Sequence, residues 1–178
     1  MTSFLISALS RKFRGRQQEF LAAYPCCWLV WEPGVWKPPH KDGGTLAGIP
    51  IQTPAPTGVG EALALALVSS AARPGQVTVG RGACCDVEIN DATLSQTHLL
   101  LLERGPGSWT VRDAGSKNGS WLDDVPLVPG VPKPLKNGAR VQAAQVCLSF
   151  YDPAGMLGRL EEAGVTPARA QRIVPIGG

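Results

Sequence analysis

From residue 63 to residue 151, short apolar or alternating runs are separated by turns that contain glycine. Runs of this kind at a spacing of about ten residues are typical of strands in an all-β sandwich or barrel. No long helical pattern separates them, which argues against a parallel α/β sheet. The strand-like runs are LALALV, QVTVG, CDVEI, HLLLLE, SWTVRD, SWL, ARVQAA and QVCLSF. We therefore predict a two-sheet antiparallel β-sandwich.

The first 23 residues have a helical pattern. Their apolar positions fall on one side of a helical wheel: Leu5, Ile6, Leu9, Phe13 and Phe20. Thr2 or Ser3 is available as the N-cap. Four basic residues in the same segment would suit an anionic membrane surface, but such charges more often form a solvated face. We expect one amphipathic helix whose apolar side packs on the rest of the fold.

A Pro/Gly-rich stretch follows the strand-like run CCWLVW. Twelve of the 28 residues from position 33 to position 60 are proline or glycine, a composition typical of a linker or irregular coil. Trp31 and Trp36 could stack on nucleic acid, but only Lys37 and Lys41 accompany them. Burial of the two tryptophans is the stronger expectation.

The chain closes with YDPAGMLGRLEEAG, which predicts a short helix. Asp152 is a plausible cap, Pro153 suits the first turn, and Gly164 suits the end. These patterns divide the chain into an extension that packs on the sandwich (1–61), the sandwich itself (62–151), and a helix with a tail (152–178).

Composition sets limits on the class of protein. The 178 residues suffice for one principal domain and a modest extension. A net charge of +3 is too small to identify nucleic acid as a partner. The N-terminal apolar run is short and precedes its charges, which fits neither a secretory signal nor a membrane span. We expect a cytoplasmic protein with no membrane partner.

Five cysteines occur at positions that fit neither a disulfide framework nor a zinc site. They are two adjacent pairs and a single residue: Cys26, Cys27, Cys84, Cys85 and Cys147. We expect them to be reduced, small buried residues.

Three polar, glycine-bearing stretches stand at strand ends: VGRGACCDVEI, LSQTHLLLLE and DAGSKNGSW. If their loops share one rim, they offer a set of donors with little opposing charge: Arg81, Ser95, Gln96, Lys117 and Asn118. A guanidinium fork, hydroxyl and amide groups, and closely approaching glycine backbone suit a tetrahedral anion such as phosphate. A carboxamide also pairs with a peptide backbone. The combination points to a phosphopeptide.

The order GR…CDVEI.D..LSQ.H…W.V.D.GSKNGSWL…LKNGARV…L.F resembles the forkhead-associated (FHA) domain over about residues 62 to 151. This resemblance implies a β-sandwich that binds phosphothreonine peptides through loops at one end. It implies that Arg81 and Ser95 hold the phosphate, that Gln96 and Lys117 flank it, and that Asn118 contacts the ligand backbone.

Other residues are expected to support these loops. Gly80 ends the strand before Arg81, and Gly119 completes an Asn-Gly turn. The resemblance gives His98 a structural role in holding loop backbone. Asp113 could suggest a calcium loop, but no second carboxylate stands at ligand spacing. We expect Asp113 to cap the turn by accepting backbone N–H bonds.

The sequence departs from the FHA pattern at three places, of which the mildest is Ser120 in place of the common threonine after Asn-Gly. Gln96 stands where the family often has arginine or another strong donor, so the phosphate would be held with less charge, partly compensated by Lys117. The stretch LDDVPLVPGVPKP replaces the usual short hairpin and is longer and richer in proline.

An enzymatic function is the weakest interpretation. Ser95 and His98, three apart on a strand, would point to opposite faces, and no oriented acid accompanies the histidine. The sequence also lacks a P-loop and a paired acid/base motif. No nucleotide, metal or redox cofactor is implied.

The leading expectation is a non-catalytic module that captures a threonine-phosphorylated partner after a Ser/Thr protein kinase has acted. The alternative is a function that uses the same fold and does not depend on phosphate. It is a structural or assembly adaptor that binds its partner constitutively through the aromatic N-terminal segment.

Overall fold

Two β-sheets face each other across an apolar core in the computed structural model, which describes residues 3–34 and 61–165. The larger sheet has seven strands in the order β1 (Ser3–Leu5), β3 (Leu63–Ala66), β2 (Trp28–Trp31), β12 (Val146–Tyr151), β11 (Arg140–Ala143), β8 (Ser120–Leu122) and β9 (Val125–Pro126). The smaller sheet has five, in the order β10 (Lys133–Pro134), β7 (Ser108–Asp113), β6 (Leu99–Gly105), β4 (Gln76–Gly80) and β5 (Val87–Glu88).

The predicted sandwich is confirmed, and each of the eight strand-like runs contains a strand. One detail differs, because β4 and β5 pair in parallel while the other described pairs are antiparallel. The short strands β9 and β10, inside the proline-rich stretch, were not predicted. Their two-residue length and their prolines give almost no strand signal.

Alternation along the strands builds the core between the sheets. In β7, Trp109 and Val111 are buried while Thr110 and Arg112 are only partly so. This is the pattern of a strand with one face on the core. The strands β2 and β3 differ, because both of their faces are covered. Leu29 and Leu65 join the core of the sandwich, whereas their neighbours along the strands join a second apolar cluster.

The second cluster lies under the helices. It contains residues of α1 (Ile6–Phe13), α2 (Gln17–Ala23), the outer faces of β2 and β3, and α3 (Pro153–Val165). The rings of Phe20 and Trp28 stack with centroids 6.2 Å apart, and both residues are fully buried. The hydroxyl of Ser10 donates to the carbonyl of Leu160 at 2.8 Å. The N-terminal apolar face therefore packs as expected, and it packs in part on α3.

The predicted N-terminal amphipathic helix is confirmed in part, since the structure has two short helices where one was expected. Residues 3–5 form a strand paired with β3, and a turn at Gly15 separates α1 from α2. Gly15 has φ +70°, in the left-handed region that a glycine adopts easily and a helix interior does not use. Neither expected cap takes that role, because Leu5 is the N-cap, Ser3 lies in β1, and Thr2 is outside the described residues.

The N-terminal segment contributes strands to the sandwich itself. The strand β2 lies between β3 and β12, with Leu29 opposite Phe150 and Trp28 opposite Ala66. A boundary between residues 61 and 62 would thus cut through the seven-stranded sheet. The predicted C-terminal helix is present and capped as expected, since the N–H of Gly155 donates to Oδ1 of Asp152 at 2.7 Å.

The cysteine prediction is correct only in part. All five cysteines are free, but only Cys27 is buried, and Cys84 is exposed in the loop after β4. Trp31 is half-buried against the core, whereas Trp36 and the rest of the Pro/Gly-rich stretch from residue 35 to residue 60 lie outside the described residues. Within the described ranges, no helix is long and apolar enough to cross a membrane.

Candidate functional site

Three loops meet at one end of the sandwich. They follow β4 (residues 81–86), precede β6 (89–98) and join β7 to β8 (114–119). The backbone N–H of Arg81 donates to the carbonyl of Ser95 at 3.0 Å. The backbone N–H of Lys117 donates to the hydroxyl oxygen of Ser95, also at 3.0 Å. Ser95 is thus hydrogen-bonded to both of the other loops.

Glycine permits the contact between the first two loops. An ideal Cβ placed on Gly80 would lie 2.3 Å from the carbonyl oxygen of Gln96. One placed on Gly82 would lie 2.7 Å from the side-chain oxygen Oε1 of Gln96. Real Cβ atoms do not approach this closely, so a side chain at either position would push the loops apart. The motif GRG therefore brings Arg81 beside Ser95 and Gln96.

Ser95 and Asn118 each keep hydrogen-bonding capacity that their bonds within the protein do not use. Because the hydroxyl oxygen of Ser95 already accepts a bond from Lys117, its O–H remains available to donate. The Nδ2 of Asn118 donates to the carbonyl of Thr93 at 2.8 Å. This bond fixes the carboxamide and leaves its Oδ1 available as an acceptor. An acceptor held in this way suits a backbone N–H of an extended peptide.

Two cations are exposed in the loops that Ser95 connects. Arg81 and Lys117 are both exposed, and neither side chain has an ion-pair partner among the described residues. An unneutralised guanidinium attracts an anion more strongly than one already paired with a carboxylate. Gln96, also exposed, brings its carboxamide against Gly82. The site is therefore rich in donors and positive in charge.

His98 holds two of these loops from beneath. It is fully buried, its Nδ1 accepts the backbone N–H of Ser95 at 3.1 Å, and its Nε2 lies 3.1 Å from the carbonyl oxygen of Gly119. An N–H only donates and a carbonyl only accepts, so the ring is neutral with its proton on Nε2. Burial lowers the pKa of His98 below its usual value, against the opposing effects of Gly119 and of nearby Asp113 and Asp91.

Asp113 anchors the loop that carries Lys117 and Asn118. It is buried and accepts the backbone N–H groups of Gly115 and Ser116, each at 2.8 Å. The hydroxyls of Ser116 and Ser120 also donate to it. Burial alone would raise the pKa of Asp113, but these hydrogen bonds lower it below the ordinary value. Both carboxylate oxygens of Asp113 accept hydrogen bonds from the protein. This aspartate therefore stabilises the loop, and its oxygens are already used for that and not for binding calcium.

Sequence reasoning missed three supporting residues, Asp91, Thr93 and Cys85. Asp91 accepts the backbone N–H and the hydroxyl of Thr93 at 2.8 Å and 2.6 Å, and Thr93 in turn holds Asn118. The available signal was the spacing Asp-x-Thr, which is typical of an Asx turn. The thiol of Cys85 donates to the carbonyl of Gln96 at 3.0 Å, and no pattern in the sequence indicated that contact.

A family model described as the FHA domain matches residues 77–144. Solved FHA structures also match this chain, at low sequence identity. The FHA domain of an Arabidopsis thaliana hypothetical protein is 21% identical, with 72% of this chain and 86% of that chain covered and a TM-score of 0.48. The FHA domain of the CT664 protein from Chlamydia trachomatis is 16% identical, with 71% and 97% covered and a TM-score of 0.45.

An engineered FHA domain with a Myc-pTBD peptide is also 16% identical, with 77% of this chain and 99% of that chain covered and a TM-score of 0.48. The family match spans β4 to β11, which include the three loops described above. The resemblance noted in the sequence is confirmed, because the FHA model matches residues 77–144 of the sandwich.

Proposed function

We propose that this protein is a non-catalytic module that binds a threonine-phosphorylated peptide. The observation that carries the proposal is the junction of three loops at Ser95. Its carbonyl accepts the N–H of Arg81, and its hydroxyl accepts the N–H of Lys117 while its own O–H is free to donate. A phosphothreonine brings a charge of about −1.5 to −2 and three acceptor oxygens. The guanidinium of Arg81, the hydroxyl of Ser95 and the ammonium of Lys117 supply the matching donors.

The peptide part of the ligand is assigned to Asn118. Its carboxamide is fixed by Thr93 and offers an oxygen acceptor beside the phosphate donors. Gln96, next to Arg81 through its contact with Gly82, offers a neutral amide donor. We assign these five residues direct contacts with the ligand: Arg81, Ser95, Gln96, Lys117 and Asn118. We assign loop support to Gly80, His98, Asp113 and Gly119.

The geometry supports binding over catalysis. A general base for Ser95 would need a free ring nitrogen near its hydroxyl. In this structure His98 uses Nδ1 on the backbone N–H of Ser95 and Nε2 on Gly119. We propose that the partner is a protein or peptide that a Ser/Thr protein kinase has modified, and the proposal includes no nucleic acid or membrane.

The phosphate-independent adaptor receives less support. It invoked the aromatic N-terminal segment as a binding surface, but Phe20 and Trp28 are fully buried. Phe4 and Tyr24 pack against Trp28, with ring centroids 6.2 Å and 5.4 Å away. Among the described residues, this segment therefore serves as core of the fold.

A matched pair of peptide pools tests the proposal. One pool has a fixed central phosphothreonine flanked by degenerate positions, and the other has threonine at the same place. We expect the full chain to bind the phosphothreonine pool at least tenfold more tightly, because several charge-assisted hydrogen bonds are lost without the phosphate (each roughly 1.5–3 kcal/mol). Equal binding of the two pools would contradict the proposal.

A further inference from the structure

A cleft opens between α3 and the turn that joins α1 to α2. Its volume is about 300 Å³, near the lower limit for ligand pockets and suited to one large side chain. The cleft has an apolar floor and an exposed polar rim. The floor is formed by Phe13, Leu157 and Leu160, and the rim by Arg14, Gln17 and Glu161. We call this space the helical cleft.

Hydrogen bonds fix the two walls of the helical cleft. The guanidinium of Arg14 donates to the carbonyl of Gly164 at 3.1 Å, and Nε2 of Gln17 donates to Oε1 of Glu161 at 2.8 Å. An ideal Cβ placed on Gly164 would lie 2.9 Å from the hydroxyl oxygen of Ser10, so glycine at this position lets α1 and α3 approach each other. The cleft is thus formed before any ligand binds, which lowers the cost of binding.

The helical cleft is separate from the proposed phosphate site. The helices α1 and α2 precede the region that the FHA model matches, residues 77–144, and α3 follows it. None of the described residues that line the cleft belongs to the loops 81–86, 89–98 or 114–119. A ligand of the cleft would therefore be recognised independently of the phosphate.

The wall formed by α1 and the following turn is strongly basic. Four exposed cations occur within six positions: Arg11, Lys12, Arg14 and Arg16. Arg11 and Arg14 are three positions apart, a spacing that puts side chains on the same side of a helix. Among the described residues, only Arg16 of these four has an ion-pair partner, Glu19 at 3.7 Å. This wall therefore attracts negative charge.

Two other occupants fit the helical cleft poorly. A membrane surface would require apolar side chains that enter the lipid, but Ile6, Leu9 and Phe13 of α1 are buried. None of the four large hydrophobic side chains exposed in the described part of the chain lies in a helix. Residues 166–178 contain two arginines and no acidic side chain, so their charge has the same sign as that of the basic wall.

We infer that the helical cleft binds an acidic segment of a partner protein. One large apolar side chain of the segment packs on Phe13, Leu157 and Leu160, and its carboxylates lie beside Arg11 and Arg14. Burial of the apolar side chain supplies most of the affinity, and the charges fix the orientation. The partner class is a peptide with phenylalanine or leucine flanked by aspartate or glutamate, and no phosphate is required.

Three pools of short peptides test the inference. The first pool has a central phenylalanine with glutamate on either side and degenerate positions beyond. The second has serine in place of the phenylalanine, and the third has glutamine in place of the glutamates. The full chain should bind the first pool about five- to tenfold more tightly than the second. It should bind the first pool about threefold more tightly than the third at low salt.

Two variants locate this binding, each with a matched control. Leu157→Ser should lose the preference for phenylalanine, whereas Val68→Ser, at an exposed valine outside the cleft, should keep it. Arg14→Glu should lose the preference for glutamate, whereas Arg104→Glu, at an exposed arginine of β6, should keep it. Because Arg14 is exposed, its variant tests the cleft even if Leu157→Ser does not fold.

The inference is overturned if the parent binds the phenylalanine and serine pools equally, or if Leu157→Ser and Arg14→Glu keep both preferences. Binding to phosphatidylserine vesicles without binding to the first pool would assign the basic wall to a membrane and would also overturn it. Self-association that Leu157→Ser abolishes, without peptide binding, would assign the cleft to a second copy of the chain.

Discussion

The backbone N–H of Lys117 donates to the hydroxyl oxygen of Ser95 at 3.0 Å, which joins two loops that are 22 residues apart in sequence. This bond gives the Ser95 hydroxyl a fixed place and directs its own hydrogen away from Lys117. The pair therefore couples the position of the phosphate donor to the position of the loop that carries Asn118.

Replacing Ser95 with alanine removes the acceptor for the N–H of Lys117 and the O–H that we assign to the phosphate. We expect Ser95→Ala to weaken binding of the phosphothreonine pool by about tenfold, the low end of the range for a hydrogen bond to a charged group (about 1.5–3 kcal/mol). Ser95→Thr, which keeps the hydroxyl, should bind within about twofold of the parent. Isothermal titration of the three proteins measures this, and equal affinity of the parent and the alanine variant would remove Ser95 from the site.

Gln96 contributes a neutral carboxamide at a position of the proposed site where an arginine would add a positive charge. We expect Gln96→Arg to tighten binding of the phosphothreonine pool by roughly tenfold at low salt, because an arginine adds a charge-assisted bond of about 1.5–3 kcal/mol. The gain should shrink as salt is added. Gln76→Arg, at the start of β4 and far from the loops, adds the same charge elsewhere. An equal gain in the two variants would show that net charge alone is responsible.

The burial of neutral His98 leads us to expect that the protein loses stability in mild acid. The pKa of His98 is lowered in the folded protein because the ring is buried, whereas an unfolded histidine titrates near 6.5. Below that pH the unfolded chain binds a proton that the folded chain excludes, so the free energy of unfolding should fall as the pH drops from 6.5. Above it both states are neutral and this contribution is constant.

Urea denaturation at several pH values between 5 and 8 measures this effect. His98→Gln removes the titrating group, so its stability should depend less on pH in this range. Other groups contribute equally to both proteins and cancel in the difference. The same pH dependence in parent and variant would show that His98 is not the group responsible.

The N-terminal helices should be required for stability and not for affinity. Phe20 is fully buried against Phe13 and Trp28, so Phe20→Ala should lower the free energy of unfolding by about 3–5 kcal/mol. Glu19→Ala, an exposed neighbour in a surface ion pair, should change it by less than about 1 kcal/mol. The folded Phe20→Ala protein should bind the phosphothreonine pool like the parent. Unchanged melting of Phe20→Ala would contradict the buried position.

The sequence predicted the loops better than it predicted the sheet. Polar residues at strand ends and joint motifs predicted that Arg81, Ser95 and Asn118 lie in neighbouring loops, because short-range turn chemistry indicates where the chain leaves a strand. The place of β2 between β3 and β12 could not be predicted, because alternation indicates a strand and not its partner. The break at Gly15 was missed because the apolar positions on both sides of it continue the same helical stripe.

The central claim is that the site recognises the phosphate of a phosphothreonine, and Arg81 is the residue that tests it most directly. Its guanidinium combines a full charge with a planar fork that matches two phosphate oxygens. Arg81→Ala should weaken binding of the phosphothreonine pool by roughly tenfold or more and leave the melting temperature almost unchanged, because the side chain is exposed and unpaired among the described residues. Arg104→Ala, an exposed arginine near the end of β6 remote from the loops, is the matched control. The decisive measurement titrates the parent and Arg81→Ala with both peptide pools. The account predicts that the phosphothreonine preference of the parent is largely lost in the variant; an undiminished preference in Arg81→Ala would contradict it.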